Sequence, residues 1–108
     1  MTYKINATQR FEKQLQRLAR KYASVINDVK ELGDILAENP FQGDGLGKDL
    51  YKVRMAITSK GKGKSGGARL ITLVLVTAKE VRLLAIYDKS ELKNMTDADL
   101  KKLLHKLI

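Results

Sequence analysis

Apolar and polar positions alternate at the start of the chain, Tyr3 and Ile5 against Lys4 and Asn6. That period of two predicts a short strand. The period then lengthens. Phe11, Leu15, Leu18 and Tyr22 recur at steps of four, three and four, with Lys13, Arg17 and Arg20 off the stripe. A helix follows from this spacing, opened by Thr8 as its cap with Glu12 in the first turn. Ser24 opens a second helix, with Ile26, Val29, Leu32 and Leu36 on its expected buried face, and Asn39-Pro40 ends it. Together they read as an αα-hairpin. Residues 40–49 contain Gly43, Gly45 and Gly47 and read as a loop. Period two returns over about 50–57: Tyr51, Val53, Met55 and Ile57 point one way, Lys52 and Arg54 the other. Two apolar runs come next, Ala68 to Val76 and Val81 to Tyr87, with Thr77 to Glu80 suited to a hairpin turn. Thr96 begins a last helix. Asp99 completes a capping box there, and Leu100, Leu103, Leu104 and Leu107 form the stripe.

The order is therefore β-α-α-β-β-β-α, an α+β protein with an antiparallel-rich four-stranded sheet. The helical hairpin is expected on one face, with a further helix at the C-terminus. Residues 1–108 read as a single domain, with no internal repeat and no linker. The sheet face carrying Lys52 and Arg54 should stay at least partly open, which marks it as basic.

Charge adds to that picture. There are 21 Lys plus Arg against 12 Asp plus Glu, a net charge of +9. Such an excess attracts phosphates at long range, and equally an anionic membrane surface or an acidic protein. The absence of cysteine excludes disulfides, thiolate catalysis and Cys-based zinc sites. The single histidine, His105, argues against a His-based metal site, so no metal or cofactor is expected. Lys4, Arg10 and Lys13 interrupt any leader-like apolar run, and no apolar stretch reaches membrane-spanning length. The expected location is the cytoplasm, with no membrane partner.

The segment Ser59-Lys60-Gly61-Lys62-Gly63-Lys64-Ser65-Gly66-Gly67 is basic and reads as flexible. Residues 61–66 match G-x-G-x-x-G, but a dinucleotide loop needs a helix directly after it and a strand follows here. Gly63-Lys64-Ser65 resembles the end of a phosphate-binding P-loop, yet the required earlier glycine is Thr58. A Gly-spaced basic loop remains. Either Lys60, Lys62 and Lys64 contact a phosphate backbone, or they merely keep a hairpin loop soluble. Between Lys48 and Arg69 stand seven basic residues and one acid, Asp49, which favours the former. Arg69 lies inside an apolar strand and needs an anionic partner. That partner is either an acid such as Asp88 or Glu91, or a ligand phosphate gripped by the planar guanidinium. By alternation Tyr87 and Lys89 share a face, with Asp88 on the other. Tyr87 either packs at the rim or stacks on a base.

The sequences Leu50-Tyr51-Lys52-Val53-Arg54-Met55, Gly61 to Arg69 with its Gly-Gly-Ala-Arg end, and Ile86-Tyr87-Asp88-Lys89-Ser90-Glu91 resemble the RelE/ParE superfamily of toxins, and the Gly-Lys-rich stretch resembles the HigB-like branch. The resemblance spans nearly the whole chain. It implies a RelE-like fold and a type II toxin–antitoxin toxin: a ribosome-dependent, metal-independent mRNA endonuclease that inhibits translation. The implied partners are a cognate antitoxin and the ribosome with mRNA in the 30S A site, with operator DNA reached only through the antitoxin complex. The implied catalytic set is Lys52 as a candidate general base, Arg54 and Arg69 as stabilisers of phosphorane charge, Lys89 as acid or second clamp, and Tyr87 to orient a nucleotide. Lys48, Lys60, Lys62 and Lys64 would grip RNA. Some relatives use a histidine or a late tyrosine near the end of the last strand or in the final helix; here the final helix has no tyrosine, and the strand end offers Tyr87 and Lys89 instead. The alternatives are a ParE-like inhibitor of DNA gyrase and a non-catalytic basic nucleic-acid-binding module.

Overall fold

A computed structural model of the protein describes residues 2–91 and 96–105. Ten elements follow one another: β1 (Lys4–Ala7), α1 (Gln9–Ala19), α2 (Val25–Glu38), β2 (Asp44–Gly47), β3 (Leu50–Met55), two short 3-10 turns (Thr58–Lys60 and Lys64–Gly66), β4 (Ala68–Leu75), β5 (Glu80–Asp88) and α3 (Asp97–His105). The strands form one five-stranded sheet in the order β1-β5-β4-β3-β2. β1 runs parallel to β5, and the other neighbours are antiparallel. The α+β class stands, with one strand more than the pattern predicts.

The additional strand is β2, inside the segment expected to be a loop. Only Leu46 in it is apolar and buried, so no alternation announces it. Its pairing with β3 is short, from Asp44 opposite Lys52 to Gly47 opposite Leu50. The turn between them places Lys48 and Asp49 at φ 53° and 66°, the left-handed pair that a two-residue hairpin demands. Gly43 precedes β2 because a Cβ there would run into the Lys52 carbonyl.

The helical hairpin packs on one sheet face. Thr8 caps α1 by accepting from the Phe11 amide at 3.1 Å. Phe11 and Leu18 are buried with Val29, Leu32 and Leu36 of α2 against Val53, Met55, Ile57, Leu70, Val74, Val81 and Ile86. Ile26 is a correction to the expected stripe: it is 54% exposed, and Val25 takes the buried position at the start of α2. Ser24 begins that helix without a side-chain cap bond. Its hydroxyl instead donates to Asp28 at 2.8 Å and accepts from the Ser59 amide at 2.8 Å.

The second sheet face is half covered. Leu100 of α3 packs with Leu46, Leu50, Ile71, Leu84 and Ala85. Thr96 and Asp99 form the expected reciprocal box, at 3.1 and 3.3 Å. The side chains of Leu103 and Leu104, and Leu107 altogether, lie outside the described residues. One irregularity sets the phase of this face. Ile71 pairs with Ala85 but Thr72 with Leu83, so Leu84 is an extra residue in β5. Leu84 and Ala85 consequently both join the second cluster, while Ile86 returns to the first. The Gln14 side chain of α1 accepts the Ile86 amide at 3.0 Å.

A candidate nucleic-acid interface

Three strands end together where β3 stops, β4 starts and β5 stops. Arg54 lies directly opposite Arg69, and Arg69 directly opposite Tyr87. All three therefore share the face away from the helical hairpin, as one cross-sheet row. Side chains so paired stand about 5 Å apart at Cβ. The next row on the same face carries Asp44, Lys52 and Ile71. The α3 contact reaches Ile71, Leu84 and Ala85, and the Arg54 end of the face stays accessible, with Arg54 exposed and Tyr87 half-buried.

Arg69 is the unusual member. It is 5% exposed. Its Nη1 donates to the carbonyls of Lys64 at 2.9 Å and Ala68 at 3.0 Å. No carboxylate among the described residues forms an ion pair with it. Neither acid expected of it is available: Asp88 is on the opposite face, and Glu91 pairs with Arg17 at 3.4 Å near the surface. Burial and then the charge of Arg54 press the guanidinium below its ordinary pKa, against weaker support from Tyr87 and Asp44. Like charges set directly opposite each other oppose folding. An anion bridging the two arginines would reverse that sign.

The basic loop is anchored at its two ends. Asp28 accepts from the Thr58 hydroxyl at 2.6 Å and amide at 3.0 Å. Ser24 and Ser59 hydrogen-bond at 3.0 Å. Lys60 reaches Asp88 at 2.9 Å with its side chain only 15% exposed. Asp88 itself is fully buried and also receives Tyr22 Oη at 2.6 Å and the Ser90 amide and hydroxyl at 3.1 and 2.9 Å. Burial would push its pKa up, but the hydrogen bonds from Tyr22, Lys60 and Ser90 hold it well below the usual carboxylate range. The same contact with Asp88 raises Lys60 and Tyr22. At the far end of the loop, Gly67 is required because a Cβ would meet the Met55 carbonyl and the Ala56 backbone. This close approach explains the glycine before Ala68-Arg69, and the Lys64 carbonyl it helps to place is the one that receives Arg69.

The candidate residues thus divide. Lys52, Arg54, Arg69 and Tyr87 come together on one face. Lys64 joins them, since it lines a groove with Lys52, Arg54 and Asp44. Lys89 lies past the end of β5 and, with Lys60 and Lys62, lines a separate recess of about 200 Å³. Lys60 is committed to Asp88. Lys48 sits at the β2–β3 turn, about 13 Å of strand away from Arg54. His105 is exposed on α3. Among the described residues no three His, Cys, Asp or Glu side chains converge as metal ligands would. No helix among them is long and apolar enough to cross a membrane. Tyr22, Asp28 and Asp88 are the positioning residues the pattern did not reveal. Asp88 had entered the sequence reading only as a possible partner of Arg69.

No family model matches the sequence. Solved structures do match the fold. A doubly mutated E. coli toxin RelE in the free state superposes with a TM-score of 0.62 at 18% identity, covering 86% of this chain and 90% of that one. The intact E. coli RelBE toxin–antitoxin complex matches with a TM-score of 0.61 at 19% identity, over 80% of this chain and 95% of the other. The isolated E. coli RelE toxin matches over 98% of this chain and 99% of its own, with a TM-score of 0.59 at 16% identity. The chain has the fold of the RelE toxins.

Proposed function

We propose that the chain is the toxin of a type II toxin–antitoxin module, acting as a single domain in the cytoplasm as an endoribonuclease that cuts mRNA in the ribosomal A site and so stops translation. The observation that carries this reading is the Arg54–Arg69–Tyr87 row, in which a buried arginine lacks a carboxylate and faces a second arginine. A structural arginine would have been given an acid; this one is left to meet an incoming anion.

The chemistry follows from the row. An RNA 2′-hydroxyl attacks the adjacent phosphate, and the extra negative charge of the pentacoordinate phosphorus falls between the Arg54 and Arg69 guanidiniums. They supply the positive charge that phosphoryl chemistry elsewhere draws from a metal ion. Lys52, one row away on the same face, and Tyr87, beside Arg69, are the groups placed to exchange protons with the attacking and leaving oxygens. Lys64 flanks the row, and Lys62 and Lys89 extend the cationic surface along the strand. The E. coli structures that share the fold include toxin–antitoxin complexes, which supports a cognate antitoxin as partner; operator DNA would be reached only through that complex.

The test is induced expression in a bacterial host with primer extension on a translated message, wild type beside Arg69→Ala. Growth arrest with cuts inside the reading frame, absent in the variant, is the expected outcome. Arrest without cuts would overturn the nuclease reading in favour of gyrase inhibition. Absence of arrest would leave a non-catalytic binding module.

A further inference from the structure

Beyond the phosphate row lies a second recess. β2 pairs with β3 no further than Lys52, so from Val53 onward the outer edge of β3 has no strand beside it among the described residues. Helix α2 crosses above that edge without closing on it. The gap is a cleft of about 240 Å³, lined by Leu32 and Ile35 of α2 and by Val53 and Met55 of β3, together with the polar Asp28, Glu31, Gln42, Arg54, Thr58 and Lys64. The groove beside Lys52 shares Val53, Arg54 and Lys64 with it. The two recesses therefore adjoin at Arg54.

We propose that this cleft is a base slot: it receives the base of a nucleotide whose phosphate rests on Arg54 and Lys64, and it favours a base that carries an exocyclic amino group. The proposal rests on the ribonuclease reading of the arginine row and names the part of the RNA that the same site reads.

Three features select this occupant. The volume lies below the roughly 300–1,000 Å³ of pockets that hold drug-sized ligands, which suits one planar ring system. The lining joins apolar Leu32, Ile35, Val53 and Met55, which suit a base face, to polar side chains such as Glu31 and Gln42. Both signs of charge line the cleft: Arg54 and Lys64 can meet a phosphate, and a carboxylate can accept from a base. Asp28 does not serve as that carboxylate, because its oxygens already receive Ser24 and Thr58. Glu31 does. It is exposed and receives one hydrogen bond, from Asn27 to Oε1 at 3.2 Å, so Oε2 is available to an amino N–H. A carboxylate accepts from the exocyclic amino group of cytosine in the same way, whereas uracil has an acceptor oxygen at that position and only its ring N3–H to offer. Ile35, 52% exposed on the wall, is covered when the slot is filled.

The experiment measures binding of inorganic phosphate and of the 5′-monophosphates of adenosine, cytidine and uridine to the purified full chain at fixed low salt. The adenosine and cytidine compounds should bind about tenfold more tightly than the uridine one, the worth of a single hydrogen bond to a charged group. Glu31→Ala should erase that preference and leave phosphate binding unchanged. A preference that survives Glu31→Ala, or nucleotides that bind no better than phosphate, would overturn the slot. Primer extension on the same wild-type protein keeps the two readings apart. Cleavage in cells without base preference in vitro removes the slot alone, and base preference without cleavage keeps the slot and removes the nuclease.

Discussion

Asp88 and Arg69 are both buried charges at the same end of the sheet, and the fold treats them in opposite ways. Asp88 faces the helical hairpin and is met by Tyr22, Lys60 and Ser90, one partner for almost every lone pair. Arg69 faces away from the hairpin and is met by two carbonyls and a second arginine. A buried charge with a full set of partners fixes structure; one without them is stabilised only when a ligand arrives. The difference teaches where to look for chemistry in a chain with 21 basic side chains. The informative cation is the one whose counter-charge is missing.

Substitutions can break this contrast from either side. On stability the largest effect is expected at Asp88. Asp88→Ala strands Lys60 and Tyr22 and frees the loop, and should cost about 3 kcal/mol, read from the urea midpoint. Acid should act on the same group. Its pKa is depressed by folding, so its contribution is complete above the unfolded value of about 4 and is lost as pH falls below that, through the folded value. Asp28 adds in the same direction. Urea midpoints at pH 7, 4 and 3 should therefore fall steeply for the wild type and less so for Asp88→Asn. A smaller effect of opposite sign is expected across the sheet. Arg54→Gln removes the like charge opposite Arg69 and should raise stability by about 0.2–1 kcal/mol, while cleavage is lost. The smallest is at Lys48, at the distant β2–β3 turn. Lys48→Ala should leave the pattern of cuts unchanged, and a loss there comparable to that of Arg54→Gln would extend the interface along the whole sheet.

The sequence pattern carried the helices and the long strands because their periods are clear. Phe11, Leu18, Val29, Leu32 and Leu36 are buried where a period of 3.6 puts them, and Val53, Met55 and Ile57 where a period of two does. It failed where one residue decides the outcome. β2 has a single buried side chain, Leu46, between glycines. The continuous apolar run Val81 to Ile86 conceals the extra residue Leu84, since alternation cannot be counted where every position but Arg82 is apolar. The site was legible in type and not in partners. Lys52, Arg54 and Arg69 stood out as basic residues on strands, and their common face follows from register. That Asp88 would hold Lys60 rather than Arg69, and that Asp28 would bolt down a loop thirty residues away, depends on packing between distant segments, which no local pattern encodes.

Whether Arg69 is held for a ligand or for the fold is decided by a paired measurement on Arg69→Ala: its melting temperature in ligand-free buffer and its effect on growth when expressed. An arginine held for a ligand gives a variant that melts at or above the wild-type temperature and no longer arrests growth. A variant that melts well below the wild type, or one that still arrests growth with cuts in the message, would contradict that role.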